Sequence, residues 1–470
     1  MQVTTIDHYL PAAGELIEWE VDPTSARSVS SPIPPSFNQA IHLGSAETSH
    51  TWLAGTFELP GRIDRDALGL AFHDLIARHG TLHSSFVRGT AGIERHCLDP
   101  SALRVVPRSV SRPGSPAEMR DALWERLDIG CQPFGFPAYL LGAIDRDDRS
   151  TVVCGFDHAH VDAYSISIVI DDLHRLYTAH RDRYGAPLTD LPMCGNFIDY
   201  CHDEQSATAV SISDYRMRDW LRFFDAVDGE LPGFPLDLGV RLGERAPQRT
   251  AVEPLLDDSS ATLFQQFCRR NGTTLFGGVL SAMADAVRRL GGGPELATIF
   301  PMHTRREDRW LNAVGWFTTN APVRVVSTGD LSATARRTGP ALRRAIHLGE
   351  IPVPQVIANV GGFRQARSDI FMVSYIDYRT LPGARLHESI AAHHISNVST
   401  ADDAQFWISR TDRGLALRTR YPDTDRARRT MRAFIDDVRG SLSDAARSQQ
   451  LSTVVSSPRA DVGRKSRESA

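Results

Sequence analysis

The run Thr151-Val152-Val153-Cys154-Gly155-Phe156 passes without a break into Asp157-His158-Ala159-His160-Val161-Asp162-Ala163, and this junction constrains the fold more than any other stretch. The first six residues are apolar, small or β-branched and read as a buried strand. From Ala163 to His180 the apolar residues Ile166, Val169, Ile170, Leu173, Leu176 and Tyr177 recur at helical spacing. A histidine and an aspartate four apart therefore sit on a strand-to-helix turn. Side chains at the end of a buried strand are held by rigid elements yet open onto a cleft, where a proton-transfer group is useful.

Neutral imidazole titrates near physiological pH, so His158 is a candidate general base, able to take a proton from a hydroxyl or amine attacking a carbonyl. Asp162 would organise the loop. Each residue also has an ordinary reading: a loop histidine is commonly a satisfied packing residue, and an aspartate just before a helix is a ready N-cap. An isolated H-x-x-x-D does not decide between them.

The stretch resembles the His-His-x-x-x-Asp-Gly signature of the condensation-domain and chloramphenicol-acetyltransferase-like superfamily, which aligns its catalytic histidine with His158 and its structural aspartate with Asp162. Asp157 stands where many members carry the first histidine, and Ala163 where glycine is usual. The Asp-His-x-His-x-Asp form is similar to the polyketide-associated (Pap) acyltransferases that acylate trehalose. So is the wording of the N-terminal segment, Pro11-Ala12-Ala13-Gly14-Glu15-Leu16-Ile17-Glu18-Trp19 followed by Pro34-Pro35-Ser36-Phe37. The resemblance implies an α/β (α+β sandwich) fold of two chloramphenicol-acetyltransferase-like lobes in a V-shaped pseudo-dimer, with a channel between them that leads to His158.

Composition agrees with a globular chain. The 470 residues are 41% hydrophobic and 23% charged with a net charge of −5, so no overall basic field argues for nucleic acid. The six cysteines show no C-x-x-C pair or zinc-ligand spacing and read as reduced thiols, which leaves no metal site. With no export signal and no apolar run of roughly 18 residues, the expected location is cytoplasmic, with no membrane span.

Along the chain, residues 1–35 are proline-punctuated and read as an extended arm, residues 36–185 as an N-terminal lobe carrying the motif, residues 186–450 as linker and C-terminal lobe, and residues 451–470 as a flexible tail. Arg78-His79-Gly80-Thr81-Leu82-His83-Ser84-Ser85-Phe86 resembles a superfamily segment in which arginine is common at the place of His83; packing at a helix end accounts for His79 and His83. Val314-Gly315-Trp316-Phe317-Thr318-Thr319-Asn320-Ala321-Pro322-Val323-Arg324 is similar to another family block, and its offset from Arg305 matches the arginine that pairs with the motif aspartate. An Asp162–Arg305 ion pair joining the lobes is expected, since a buried carboxylate needs compensation. Trp316 and Phe317 read as core.

The implied reaction is acyl transfer from a thioester, acyl-CoA or a phosphopantetheinyl carrier protein, to a hydroxyl of a sugar such as trehalose or of a related natural-product acceptor, with no permanently bound cofactor and no acyl-enzyme. There is no G-x-S-x-G elbow. Asp157, His160, Tyr164, Asn320 and Asp377 are candidate sugar contacts, and Ser374 a candidate donor to the oxyanion. Amide formation in nonribosomal peptide synthesis and noncatalytic carrier-protein binding are the rival readings.

Overall fold

The computed structural model describes residues 1–45, 51–90, 92–183 and 191–456. The expected boundary near residue 185 falls outside the described residues, as does the tail from residue 457 onward.

The N-terminal half is built on a seven-stranded sheet. Its order is Gln2–Thr5, His393–Ser396, Trp52–Pro60, Arg149–Asp157, Tyr139–Asp145, Glu15–Asp22 and Arg104–Ser111. Trp52–Pro60 and Arg149–Asp157 pair antiparallel along their full length, Trp52 opposite Asp157 and Pro60 opposite Arg149. Both central strands are almost wholly buried, because each face is covered. On one face the helices Arg65–Arg78 and Ala163–Arg183 pack, their Leu68, Phe72, Leu75, Ile166, Ile170 and Leu173 forming one core with Phe57, Val152 and Phe156. The helix Pro116–Gly130 covers the other, through Met119, Leu123 and Leu127. Gly55 lets the motif helix lie close: a Cβ there would stand 3.1 Å from Ile166.

Two features depart from the expected division of the chain. Residues 1–35 do more than lie as an extended arm over the body, since Gln2–Thr5 and Glu15–Asp22 are strands of the large sheet. And the chain of the second half returns to the first: His393–Ser396 inserts between Gln2–Thr5, to which it is parallel, and Trp52–Pro60, to which it is antiparallel. Four residues carry too little periodic signal to be read as a strand, but the returning strand satisfies an edge that Trp52–Pro60 would otherwise expose.

The second half centres on a five-stranded sheet of Val373–Asp377, Gln405–Thr411, Gly414–Pro422, Ala246–Asp257 and Thr400–Ala401. One face is apolar and packs Phe371, Val373, Phe406, Ile408, Leu415 and Leu417 against the helices Asp258–Arg270, Leu275–Arg289 and Asp425–Ser456. The glycines at 277 and 278 serve close helix packing: a Cβ on Gly278 would lie 2.3 Å from Cys268 Sγ. Alternation puts Gln405, Trp407, Arg418 and Arg420 on the opposite, polar face, where Gln405 pairs with Arg420 and Trp407 with Arg418. A two-stranded ribbon, Glu295–His303 with Thr318–Val326, carries the segment between them toward the motif. The last helix continues to Ser456, into the first residues of the segment expected as a tail. Among the described residues no helix is long and apolar enough to cross a membrane, and no group of three or more His, Cys, Asp or Glu could hold a metal ion.

Candidate active site

At the end of Arg149–Asp157 the backbone closes a tight turn in which His160 N–H donates to Asp157 O at 3.0 Å, and His158 N–H donates to Thr51 O, just before the neighbouring strand, at 2.9 Å. His158 is thus fixed by the sheet it leaves. Its ring is partly buried, and Nδ1 lies 2.8 Å from Val161 O. A carbonyl oxygen can only accept, so Nδ1 carries the hydrogen and the neutral ring keeps its lone pair on Nε2. Burial, and then the neighbouring His42, push the ring's pKa down to about 4, so it is neutral at physiological pH.

Asp162 is held far more tightly. Arg305 Nη1 donates to its Oδ2 at 2.6 Å and Arg305 Nη2 to its Oδ1 at 3.0 Å. Ser165 N–H and Oγ–H donate to Oδ1 at 2.7 and 2.8 Å, and Phe317 N–H donates to Oδ2 at 3.1 Å. Burial by itself would raise the carboxyl's pKa, but Arg305 and Ser165 outweigh it and hold Asp162 below the ordinary aspartate value. The bond from Ser165 N–H is an N-cap of the motif helix. Capping and the ion pair are therefore both present.

Arg305 is 2% exposed. Its guanidinium is sandwiched between Tyr164 and Phe317, with Cζ 4.5 Å from each ring centre. Nη2 also donates to Ala313 O at 3.1 Å and Ser165 Oγ at 2.9 Å. This binds three segments into one cluster: the motif turn, the end of the ribbon, and the loop carrying Val314 to Phe317.

That loop delivers Trp316, whose position was not anticipated. Phe317 is fully buried among Phe197, Tyr200 and Trp310, as a core residue should be. Trp316 instead stacks on the His158 imidazole, ring centres 4.0 Å apart and planes inclined by 24°.

The residues expected to line a sugar site are dispersed. Asp157 is wholly buried; His42 Nε2 approaches both its carboxylate oxygens at 3.0 Å, and Ala159 N–H donates to Oδ1 at 2.9 Å. His160 is 1% exposed, and its Nδ1 is occupied at Thr81 while its ring lies beside Phe86. Both are held inside the protein by these contacts, while the ring of His158 between them keeps partial exposure. Tyr164 is partly buried beneath Arg305 and 5.9 Å from His303 between ring centres. Asp377 is closed by Arg379, whose Nη2 donates to it at 2.7 Å. Ser374 lies buried on its strand opposite Trp407, and Asn320 sits opposite Pro301 in the ribbon. Among the described residues no hydrogen bond or ring contact joins Asn320, Ser374 or Asp377 to His158.

His42, from the helix Phe37–Ser45, is the neighbour that motif reasoning missed. The signal was Asp157 itself: a carboxylate in a buried strand requires a donor or a cation, though nothing in the sequence says which. Gln39 on the same helix donates to Ala159 O at 2.7 Å, so this helix props the turn at two places.

Two mixed α/β halves clasping a His-x-x-x-Asp turn through an arginine from the other half define the chloramphenicol-acetyltransferase-like class of acyltransferase. The chain belongs to the condensation-domain family, whose model matches residues 37–454. It is 28% identical over 452 residues to the trehalose-2-sulfate acyltransferase PapA2 of Mycobacterium tuberculosis (strain H37Rv), which covers 92% of this chain and 95% of that protein. It is 25% identical over 460 residues to the 2'-acyl-2-O-sulfo-trehalose (hydroxy)phthioceranyltransferase PapA1 of Mycobacterium tuberculosis (strain CDC 1551), covering 93% of this chain and 88% of that one. Among solved structures it superposes on the PapA2 acyl transferase with a TM-score of 0.86 at 26% identity, covering 95% of this chain and 100% of that one. The epimerization domain of tyrocidine synthetase B superposes with a TM-score of 0.68 at 14% identity, covering 90% of this chain and 98% of that one, a likeness of fold alone. The chain is an acyltransferase.

Proposed function

We propose that this acyltransferase moves an acyl group from a thioester, acyl-CoA or a phosphopantetheinyl carrier, to a hydroxyl of trehalose or a trehalose-derived sugar, with His158 as general base. The observation that carries the reading is the 2.8 Å contact between His158 Nδ1 and Val161 O, which leaves the Nε2 lone pair as the ring's free basic site. The acceptor hydroxyl gives its proton to Nε2 as its oxygen bonds to the thioester carbon. When the tetrahedral intermediate collapses, the carbon–sulfur bond breaks and Nε2 returns the proton to the departing thiolate, so no group stays on the enzyme.

The ring's low pKa ensures that it is unprotonated when substrate arrives. Two groups favour the imidazolium formed during the reaction: Val161 O accepts from Nδ1–H, and the π-face of Trp316 lies against the ring. Asp162 and Arg305 touch neither nitrogen; they hold the turn that presents the ring. The sugar acceptor is supported by the relatives, which are named for acylation of trehalose-derived sugars.

The test is incubation of the purified chain with an acyl-CoA, or the same acyl group on a carrier protein, and trehalose, with acylated sugar read by mass spectrometry. His158→Ala should lower the rate about 10²- to 10⁴-fold, the usual share of a general base. Equal activity in the variant removes His158 from the reaction.

A further inference from the structure

We infer that Arg418 seats an anionic substituent, a sulfate, phosphate or carboxylate, carried by a substrate bound between the halves; the inference rests on the acyl-transfer reading above. Arg418 lies on the polar face of the second sheet and is 4% exposed. Its Nη1 donates to Ser396 Oγ at 2.9 Å and Thr4 O at 3.3 Å, and its Cζ stands 4.5 Å from the centre of the Trp407 ring. Its Nε is a buried N–H with no acceptor. No carboxylate stands within ion-pair distance of it among the described residues.

Three other buried arginines also keep one N–H without an acceptor, Arg305 and Arg410 at Nε and Arg95 at Nη1, but what meets the rest of the guanidinium differs. Arg305 meets Asp162 and Arg410 meets Asp258, while Arg95 spreads over Ile33 O, Pro34 O and Gln39 Oε1. Beside Arg418, charge is added instead of cancelled: Arg420 projects on the same face, its Cζ 5.1 Å from the centre of the same Trp407 ring. The carboxylate in electrostatic reach of Arg420, Asp369, is already engaged by Arg245 at 3.3 Å. Burying a cation without a counter-charge is strongly unfavourable. The guanidinium fork is also suited to gripping oxyanions. An anion that arrives with substrate removes the imbalance.

The location agrees. Ser396 lies opposite Leu53, and Leu53 opposite Phe156, two residues before His158. With neighbouring strands about 4.8 Å apart, Ser396 is roughly 10 Å from Phe156. The buried His394, two residues before Ser396, is within electrostatic reach of both Arg418 and His158. A substituent on the acceptor sugar fits such a separation from the reacting hydroxyl better than the phosphates of CoA, which hang at the far end of the pantetheine arm.

The experiment compares kcat/KM within two substrate pairs, trehalose 2-sulfate against trehalose with one donor, and acyl-CoA against acyl-pantetheine with one acceptor. A charge-assisted pair predicts that wild type favours the anionic member of one pair by roughly tenfold to a hundredfold. Arg418→Met should bring that ratio close to one and Arg418→Lys should keep part of it. A shift confined to the first pair places the anion on the acceptor, and one confined to the second places it on the donor. Absence of any preference in wild type, or equal loss for both members of each pair in Arg418→Met, overturns the inference and leaves Arg418 a strap between the sheets. Calorimetric titration with trehalose 2-sulfate and with trehalose separates the two readings. Preferential binding of the sulfated sugar that Arg418→Met abolishes, in a protein that transfers nothing, upholds the anion seat and sinks the acyl-transfer reading; transfer to trehalose without any anion preference does the reverse. Should Arg418→Met not fold, competition by inorganic sulfate against trehalose 2-sulfate on wild type, at ionic strength matched with chloride, decides: competitive inhibition supports the seat, and none overturns it.

Discussion

Arg305 grips Asp162 with both terminal nitrogens, at 2.6 and 3.0 Å, in a pocket where neither residue is more than 5% exposed. Such a pair costs much to assemble and more to break, because removing one partner strands the other charge out of water. Arg305→Met should destabilise the protein by about 3–5 kcal/mol, read as a shift in denaturant midpoint. Asp162→Asn should fall in the same range, and the double variant should lose far less than the sum. Additive losses would mean that the two residues do not act as a unit.

The depressed pKa of His158 predicts how rate follows pH. A base with the ordinary histidine value would lose activity near pH 6.5. Burial and His42 bring this ring to about 4, so kcat/KM should stay level from about pH 8 down to about pH 5 and fall only as pH approaches 4. Folding stability follows the same sign: His158 and the equally depressed His160 are neutral when folded but take protons when unfolded, between pH 6.5 and about 4. Their contribution is complete above pH 6.5 and is lost as pH falls through that window, at up to about 1.4 kcal/mol per pH unit for each ring. Chemical denaturation at a series of pH values measures it. A rate profile with its midpoint at 6.5 would show that His158 is solvated in the working enzyme.

The motif and its arginine were legible because both rest on short segments whose order along the chain sets the chemistry: Asp162 lies four residues from His158, and Arg305 leads a recognisable block. Elements with strong periodicity were equally plain, among them the helices Arg65–Arg78, Ala163–Arg183 and Asp425–Ser456. What escaped was set by contacts between distant segments. His42 meets Asp157 across 115 positions, and His393–Ser396 is a strand only because Trp52–Pro60 offers an edge to it. Asp157 and His160 were legible as polar residues beside the base. Their burial depends on contacts with His42 and Thr81, which residue types alone do not reveal.

Trp316 lies 4.0 Å from His158, ring centre to ring centre, and covers one face of the base. If the indole steadies the imidazolium, its removal should slow the step that makes one. Trp316→Leu should lower kcat about tenfold, in keeping with a cation–π contribution of about 1–2 kcal/mol in a desolvated site, with a smaller change in KM, while Trp316→Phe should retain most of the rate. A variant that changes KM alone would assign the indole to substrate binding instead.

Ala163 occupies the first position of the motif helix where glycine is usual in the wider family, and the geometry here needs no glycine. Among the described residues the non-glycine residues with positive φ are Asp228 and Ala391, so Ala163 has no backbone angle that a Cβ would strain. Asp162 supplies the cap by accepting from Ser165 N–H at 2.7 Å, whatever stands between them. Ala163→Gly should therefore leave kcat/KM within about twofold of wild type and lower stability by up to about 1 kcal/mol, the helix-propensity difference between the two residues. Steady-state kinetics and a thermal melt on the same preparation measure both. A large gain in rate would mean that the methyl group obstructs the reacting centre, and that the turn next to His158 has been tuned down in this chain.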